Sequence, residues 1–160
     1  MESYFKRAVF DNFNKKVLPN KVLILLGARR VGKTELIKNY LKTVPVETYL
    51  QLNGEDINDA NLLQERSVAN YKRLLANIDL LVIDEAQTIP EIGLILKLIV
   101  DSIEGIKIIA TGSSVFDLNN TLGEPLVGRK NTMYLFPLAQ MEFSIQENYK
   151  QTTENLEERL

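Results

Sequence analysis

Gly27-Ala28-Arg29-Arg30-Val31-Gly32-Lys33-Thr34 is the stretch on which the reading of this chain turns. It fits G-x-x-x-x-G-K-[ST] at every fixed position. Glycine lets the backbone turn tightly, so that successive N–H groups point inward at phosphate oxygens. A helix that starts at the loop adds its positive dipole end. Lys33 then reaches the β- and γ-phosphates of a nucleotide, and the Thr34 hydroxyl can ligate Mg2+. At average glycine usage, a chance match in a chain of this length is on the order of one in two hundred.

The flanks supply the context that such a loop requires. Before it, Lys21 to Leu26 is apolar without alternation, the pattern of a strand buried on both faces of a parallel sheet. After it, Leu36, Ile37, Tyr40, Leu41 and Val44 recur at helical spacing until Pro45 ends the helix. Further out, Val46 to Leu52 reads as a second strand and Asn53-Gly54 as a turn. Asp59 to Ile78 reads as mostly helical, with Tyr71, Leu74, Leu75 and Ile78 on one face. Asp79 to Ile83 is a third strand, and Pro90 suits the first turn of a helix running to about Ile103. Ile106 to Ala110 is a fourth strand, a short polar helix-like stretch runs through Leu122, and Thr132 to Phe136 is a fifth strand. In front of all this, Phe5, Val9, Phe13 and Val17 form the stripe of an amphipathic helix, broken by Pro19-Asn20.

Strand and helix alternate throughout. The expected fold is therefore α/β, three layers around a five-stranded parallel sheet, preceded by an N-terminal amphipathic helix. Three segments are expected: the helix over 1–20, the core over 21–138, and a helical tail over 139–160.

A second signal lies in Leu80-Leu81-Val82-Ile83-Asp84-Glu85, an apolar strand that ends in two adjacent acids. A strand of this kind ends at the carboxyl edge of the sheet, beside the phosphate loop. Asp84 suits a place around Mg2+, reached through water, and Glu85 suits the polarisation of a water that attacks the γ-phosphate. The chain has no His, so a carboxylate is the natural base.

Composition narrows the remaining classes. The length fits one domain, and 45% of the residues are apolar with 25% charged. A net charge of −2 excludes a globally basic nucleic-acid binder. With no Cys, disulfides and thiolate metal sites are excluded. The longest unbroken apolar run, Val22 to Leu26, is far short of the roughly 20 residues that span a bilayer, so no membrane partner is expected. Met1 to Phe10 holds no apolar signal core, which makes a cytoplasmic protein the default expectation.

Together the two motifs resemble P-loop ATPases that carry a Glu beside the Walker B Asp. More closely, the chain is similar to the AAA+ superfamily. Within it lies a prokaryotic group whose proteins read G-P-R-Q-x-G-K-T, L-I-D-E-x-Q, T-G-S-S, and a G-R followed by a strand and P-L-S. The matching runs here are Gly27 to Thr34, Leu81 to Gln87, Thr111 to Ser114, and Gly128-Arg129 followed by Phe136-Pro137-Leu138. Ala28 stands for the usual Pro and Arg30 for the usual Gln, both in variable loop positions.

The resemblance implies a P-loop NTPase fold that takes ATP and Mg2+. All of Gly27, Ala28, Arg29, Arg30, Val31, Gly32, Lys33 and Thr34 would form the Walker A cradle, with Thr34 and Asp84 toward the metal. Glu85, Lys33, Ser113 and Arg129 would be the catalytic set. In that set Ser113 is the sensor-1 polar residue, and Arg129 is an arginine finger that reaches a neighbouring subunit's nucleotide and neutralises charge on the γ-phosphate. A homo-oligomer through Arg129 is implied with it, as is a protein or DNA partner by family analogy. ATP over GTP follows the same analogy, since the guanine-reading N-K-x-D motif is absent. Proteins of this kind follow the core with a helical lid, so 139–160 is expected to be the start of a truncated lid. That leaves a fragment, a truncated product or a minimal relative as alternatives.

Three functions share this loop. The first is a Mg-ATPase with weak activity in isolation. The second is a nucleotide-binding switch with negligible hydrolysis, in which nucleotide orders the loops near Asp84 to Gln87 and Ser113. The third is a small-molecule kinase, against which the adjacent Asp84 and Glu85 argue.

Overall fold

A computed structural model describes residues 9–113 and 125–137. Five strands form one sheet: β1 (Lys21–Leu26), β2 (Tyr49–Asn53), β3 (Leu80–Asp84), β4 (Lys107–Gly112) and β5 (Lys130–Tyr134). Their spatial order is β2-β3-β4-β1-β5, and every pairing is parallel. Among the described residues five helices accompany them: α1 (Phe10–Lys16), α2 (Lys33–Leu41), α3 (Ile57–Gln64), α4 (Val68–Leu74) and α5 (Ile92–Ser102). This is the expected α/β architecture of a P-loop NTPase.

The unalternating apolar strands explain the three layers. Along β1, Val22, Ile24 and Leu26 join one cluster with Tyr71, Leu75, Ile95 and Ile99 from the α4 and α5 side. Leu23 and Leu25 point the other way, into a cluster with Phe13, Leu36 and Ile37 from α1 and α2. A strand covered on both faces has no polar side to offer. Tyr71 is fully buried, and its hydroxyl donates to the Leu63 carbonyl at 2.8 Å. Burial raises the Tyr71 pKa above its ordinary 10.0.

Several boundaries differ from the sequence expectation. Val46–Thr48 is a 3-10 turn, and β2 begins only at Tyr49. The Thr48 N–H and hydroxyl both fold back onto the Pro45 carbonyl. The partner strand also starts there, since Tyr49 pairs with Leu80. The expected helix over Asp59 to Ile78 is two helices. Asp56 caps the first, accepting from Asn58 N and Asp59 N, and Ser67 caps the second, accepting from Asn70 N. The Asn70 side chain then ties off the first helix by donating to the Leu62 and Glu65 carbonyls. Pro90 precedes α5 rather than opening it, because Glu91 at the cap is left-handed. Strand β5 starts two residues earlier than expected and pairs with β1 from Lys130 to Tyr134.

The N-terminal helix is present as α1, with Phe13 buried against α2, its ring 5.4 Å from that of Tyr40. Phe5, the part of the polar stretch from 114 through Leu122, and the 139–160 segment lie outside the described residues. Among the described residues no helix is long and apolar enough to cross a membrane.

Because all strands run the same way, their carboxyl ends share one edge. That edge collects the Gly27–Thr34 loop after β1, Asp84-Glu85 after β3, and the Thr111–Ser113 stretch at the end of β4. The amino end of β5, with Arg129 just before it, belongs to the opposite edge.

Candidate functional site

The loop is shaped by its two fixed glycines. At Gly27 a Cβ would lie 2.5 Å from the Leu135 carbonyl oxygen, so only glycine lets the loop leave β1 against β5. Gly32 has φ 93 and stands at the N-cap of α2 with no side-chain cap. The first-turn N–H groups of α2 are thus left for a ligand. Arg30 is also left-handed, with φ 64.

Lys33 is buried, and its ammonium donates to the Gly27 carbonyl at 2.8 Å and the Ala28 carbonyl at 3.0 Å. The loop is wound around this cation. A cleft of about 470 Å³ opens beside it, lined among others by Arg29, Arg30, Lys33, Thr34, Glu55 and Glu85. Three cations in one cleft at a helix N-terminus suit a polyanion.

The acidic pair meets the loop directly. The Thr34 hydroxyl donates to Asp84 Oδ2 at 3.1 Å, although the two are 50 residues apart in sequence. The other carboxylate oxygen, Oδ1, accepts from the Thr111 hydroxyl. Thr111 in turn accepts from the Glu85 N–H at 3.0 Å. One fully buried hydroxyl therefore holds both acids.

Glu85 is left-handed, with φ 49 and ψ 45, which turns the chain sharply out of β3. Its carbonyl accepts from the Thr88 hydroxyl at 2.8 Å. The Gly54 N–H donates to the Asp84 carbonyl at 2.8 Å, and a Cβ on Gly54 would lie 2.5 Å from the Glu85 carbonyl oxygen. The turn after β2 is thus pressed flat against the acidic pair and carries Glu55 to the cleft.

Of the residues expected to act, Gly27 to Thr34, Asp84 and Glu85 are brought together at the carboxyl edge. Ser113 is buried one residue past β4 on that same edge. Arg129 is not with them. Its Nε donates to Asp101 Oδ1 at 2.6 Å at the amino edge. The length of β1 separates it from the loop, about 17 Å at the usual rise per residue.

Sequence reasoning named Thr111 only as the first residue of the Thr111 to Ser114 run, without a role, and passed over Glu55. Thr111 had a usable signal: it follows the apolar run of β4, and Ala110 pairs with Ile83, so Thr111 falls level with Asp84. Glu55 had no signal beyond its place after the Asn53-Gly54 turn.

Among the described residues no cluster of three or more metal-ligating side chains exists. The hydroxyl and carboxylate at Thr34 and Asp84 nevertheless fit Mg2+, which keeps most of its shell as water and phosphate oxygen and asks little of the protein.

A five-stranded parallel sheet with this loop between β1 and α2, and an acid at the end of β3, defines a P-loop nucleotide-binding domain of the ATPase-like kind. Residues 19–144 match the family model described as "AAA domain". The chain belongs to that family. It is 28% identical over 130 residues to Uncharacterized protein MJ1544 of Methanocaldococcus jannaschii, an alignment that covers 80% of this chain and 29% of the relative. The chain thus spans less than a third of the length of that relative.

Proposed function

We propose that this domain binds Mg-ATP and hydrolyses it. The observation that carries the reading is the 3.1 Å contact between the Thr34 hydroxyl and the Asp84 carboxylate. It joins the loop to the acidic strand end, with Glu85 lining the same cleft as Lys33.

The phosphates lie on the loop amides and the α2 N-terminus, with Lys33 exchanging its two carbonyl partners for phosphate oxygens. Thr34 and, through water, Asp84 would hold Mg2+, which would supply positive charge to neutralise the β- and γ-phosphates. Glu85 accepts a proton from water, whose oxygen bonds to the γ-phosphorus. The bond from that phosphorus to the bridging oxygen breaks, and ADP and phosphate leave. Ser113 lies at the same edge and suits contact with the γ-phosphate or the water.

Arg129 acts, in this reading, on the nucleotide of another copy. Its position at the amino edge supports that role, since it is too far to serve its own cleft. The Asp101 ion pair must open for it to do so. Turnover per chain is then slow in dilute solution and rises with protein concentration.

The Arg129–Asp101 pair also favours a second reading, a nucleotide-binding switch that does not turn over alone. ATP binding and hydrolysis with Mg2+ across a concentration series separates the two. Rising turnover per chain supports the shared ATPase. Stoichiometric binding with flat, near-zero turnover supports the switch. Glu85→Gln is expected to keep ATP binding and lower turnover by 10²-fold or more, the scale of losing a key base. Unchanged hydrolysis in that variant rejects the role given to Glu85.

A further inference from the structure

The chain turns sharply after β3, and the 3-10 turn Ala86–Thr88 follows at once. Ala86 goes into the core. Gln87 comes back to the strand end, where its Nε2 donates to Glu85 Oε2 at 2.6 Å. Chemistry fixes the orientation of this amide. Exchanging its oxygen and nitrogen would set two acceptors against each other at that separation with no proton between them.

The other end of the amide points to the same conclusion. Gln87 Oε1 is buried, and among the described residues it is the one buried side-chain polar atom without a partner. A glutamine placed for its own contacts would not leave that acceptor unmet. A hydrogen bond to an ionised carboxylate is roughly twice as strong as one between neutral groups. The tie to Glu85 therefore holds this side chain against the loss at Oε1.

We propose that Gln87 is the positioning residue of Glu85, resting on the reading of Glu85 as the water-activating base. Gln87 holds the carboxylate by Oε2 and leaves Oε1 as the oxygen that takes the proton. An unrestrained glutamate has several staggered side-chain states and spends only part of its time in a reactive one. Gln87 removes that freedom without touching the nucleotide.

The test uses Gln87→Met, which keeps length and bulk but has no donor. In the 160-residue chain with Mg-ATP, kcat is expected to fall about tenfold with KM unchanged, the mark of lost orientation rather than lost binding. A merely structural glutamine moves KM together with kcat, and that result overturns the proposal. So does a kcat within about twofold of the parent where Glu85→Gln is inactive. A second measurement does not need turnover. The Gln87 side-chain amide signals in NMR, assigned by their loss in Gln87→Met, are expected to shift in Glu85→Ala, which removes the acceptor at Oε2, and amide signals indifferent to that variant overturn the proposal. Full turnover in Glu85→Gln instead rejects the base assignment itself, whatever Gln87 does, so the two failures read apart.

Discussion

The two edges of the sheet are built on opposite plans. At the carboxyl edge, groups from α2, the end of β3 and β4 are locked to one another: Thr34 to Asp84, Asp84 to Thr111, Thr111 to Glu85. Thr111 there is fully buried and Lys33 is 6% exposed. At the amino edge the ion pair of Arg129 with Asp101 stands 38% exposed on each side. An exposed pair of this kind contributes little, and is easily exchanged for another partner. The first edge is tied together by hydrogen bonds within the chain, and the second carries an exposed pair that costs little to open.

Substitutions test this contrast, and the largest effect belongs to the carboxyl edge. Lys33→Ala is expected to weaken Mg-ATP binding at least 100-fold, about 2.7 kcal/mol, read by titration calorimetry. Binding within tenfold of the parent would mean that the cleft does not hold phosphate through Lys33. Gly54→Ala comes next. Its methyl meets backbone at 2.5 Å, so a loss of about 1–3 kcal/mol in a denaturant titration is expected. Hydrolysis should fall with it, because Glu85 is the group displaced.

Thr111→Val keeps shape and removes the hydroxyl that serves both acids. It is expected to cost about 1–2 kcal/mol and to lower turnover while ATP binding survives. A variant as stable and active as the parent would reduce Thr111 to a bystander. The smallest effect on the isolated chain is expected at the other edge. Arg129→Ala should change stability by less than about 1 kcal/mol and leave ATP binding intact. Its signature is the loss of any rise in turnover with protein concentration. If that rise persists in the variant, the amino edge has no part in the site.

Much of the carboxyl edge was legible because its signals are local. Lys21–Leu26 was read with its true bounds, since a strand buried on both faces announces itself by an unbroken apolar run. The loop and the Asp84-Glu85 pair each sit within a few residues of such a run. What escaped were features fixed by contacts distant in sequence. The break between α3 and α4 depends on Asn70 reaching back to Leu62 and Glu65, which periodicity does not record. The start of β2 is set by where β3 begins, and that of β5 by its register on β1. Thr111 acts only through the alignment of β4 with β3. Arg129 was identified by its order in the chain, but order does not say which edge of a sheet a residue occupies.

Arg30 and Glu85 share a feature beyond facing one cleft: each holds a left-handed backbone that costs a side-chain-bearing residue about 1 kcal/mol. Glycine at Arg30 would relieve that cost, so Arg30→Gly stands to melt at higher temperature than the parent, whereas at Glu85 the relief is offset by the loss of the acceptor that holds Gln87. Both replacements would also strip a charge from the cleft. Stability and chemistry thus pull in opposite directions at Arg30. A chain improved for heat resistance alone would drift toward a sturdier, blunter version of itself.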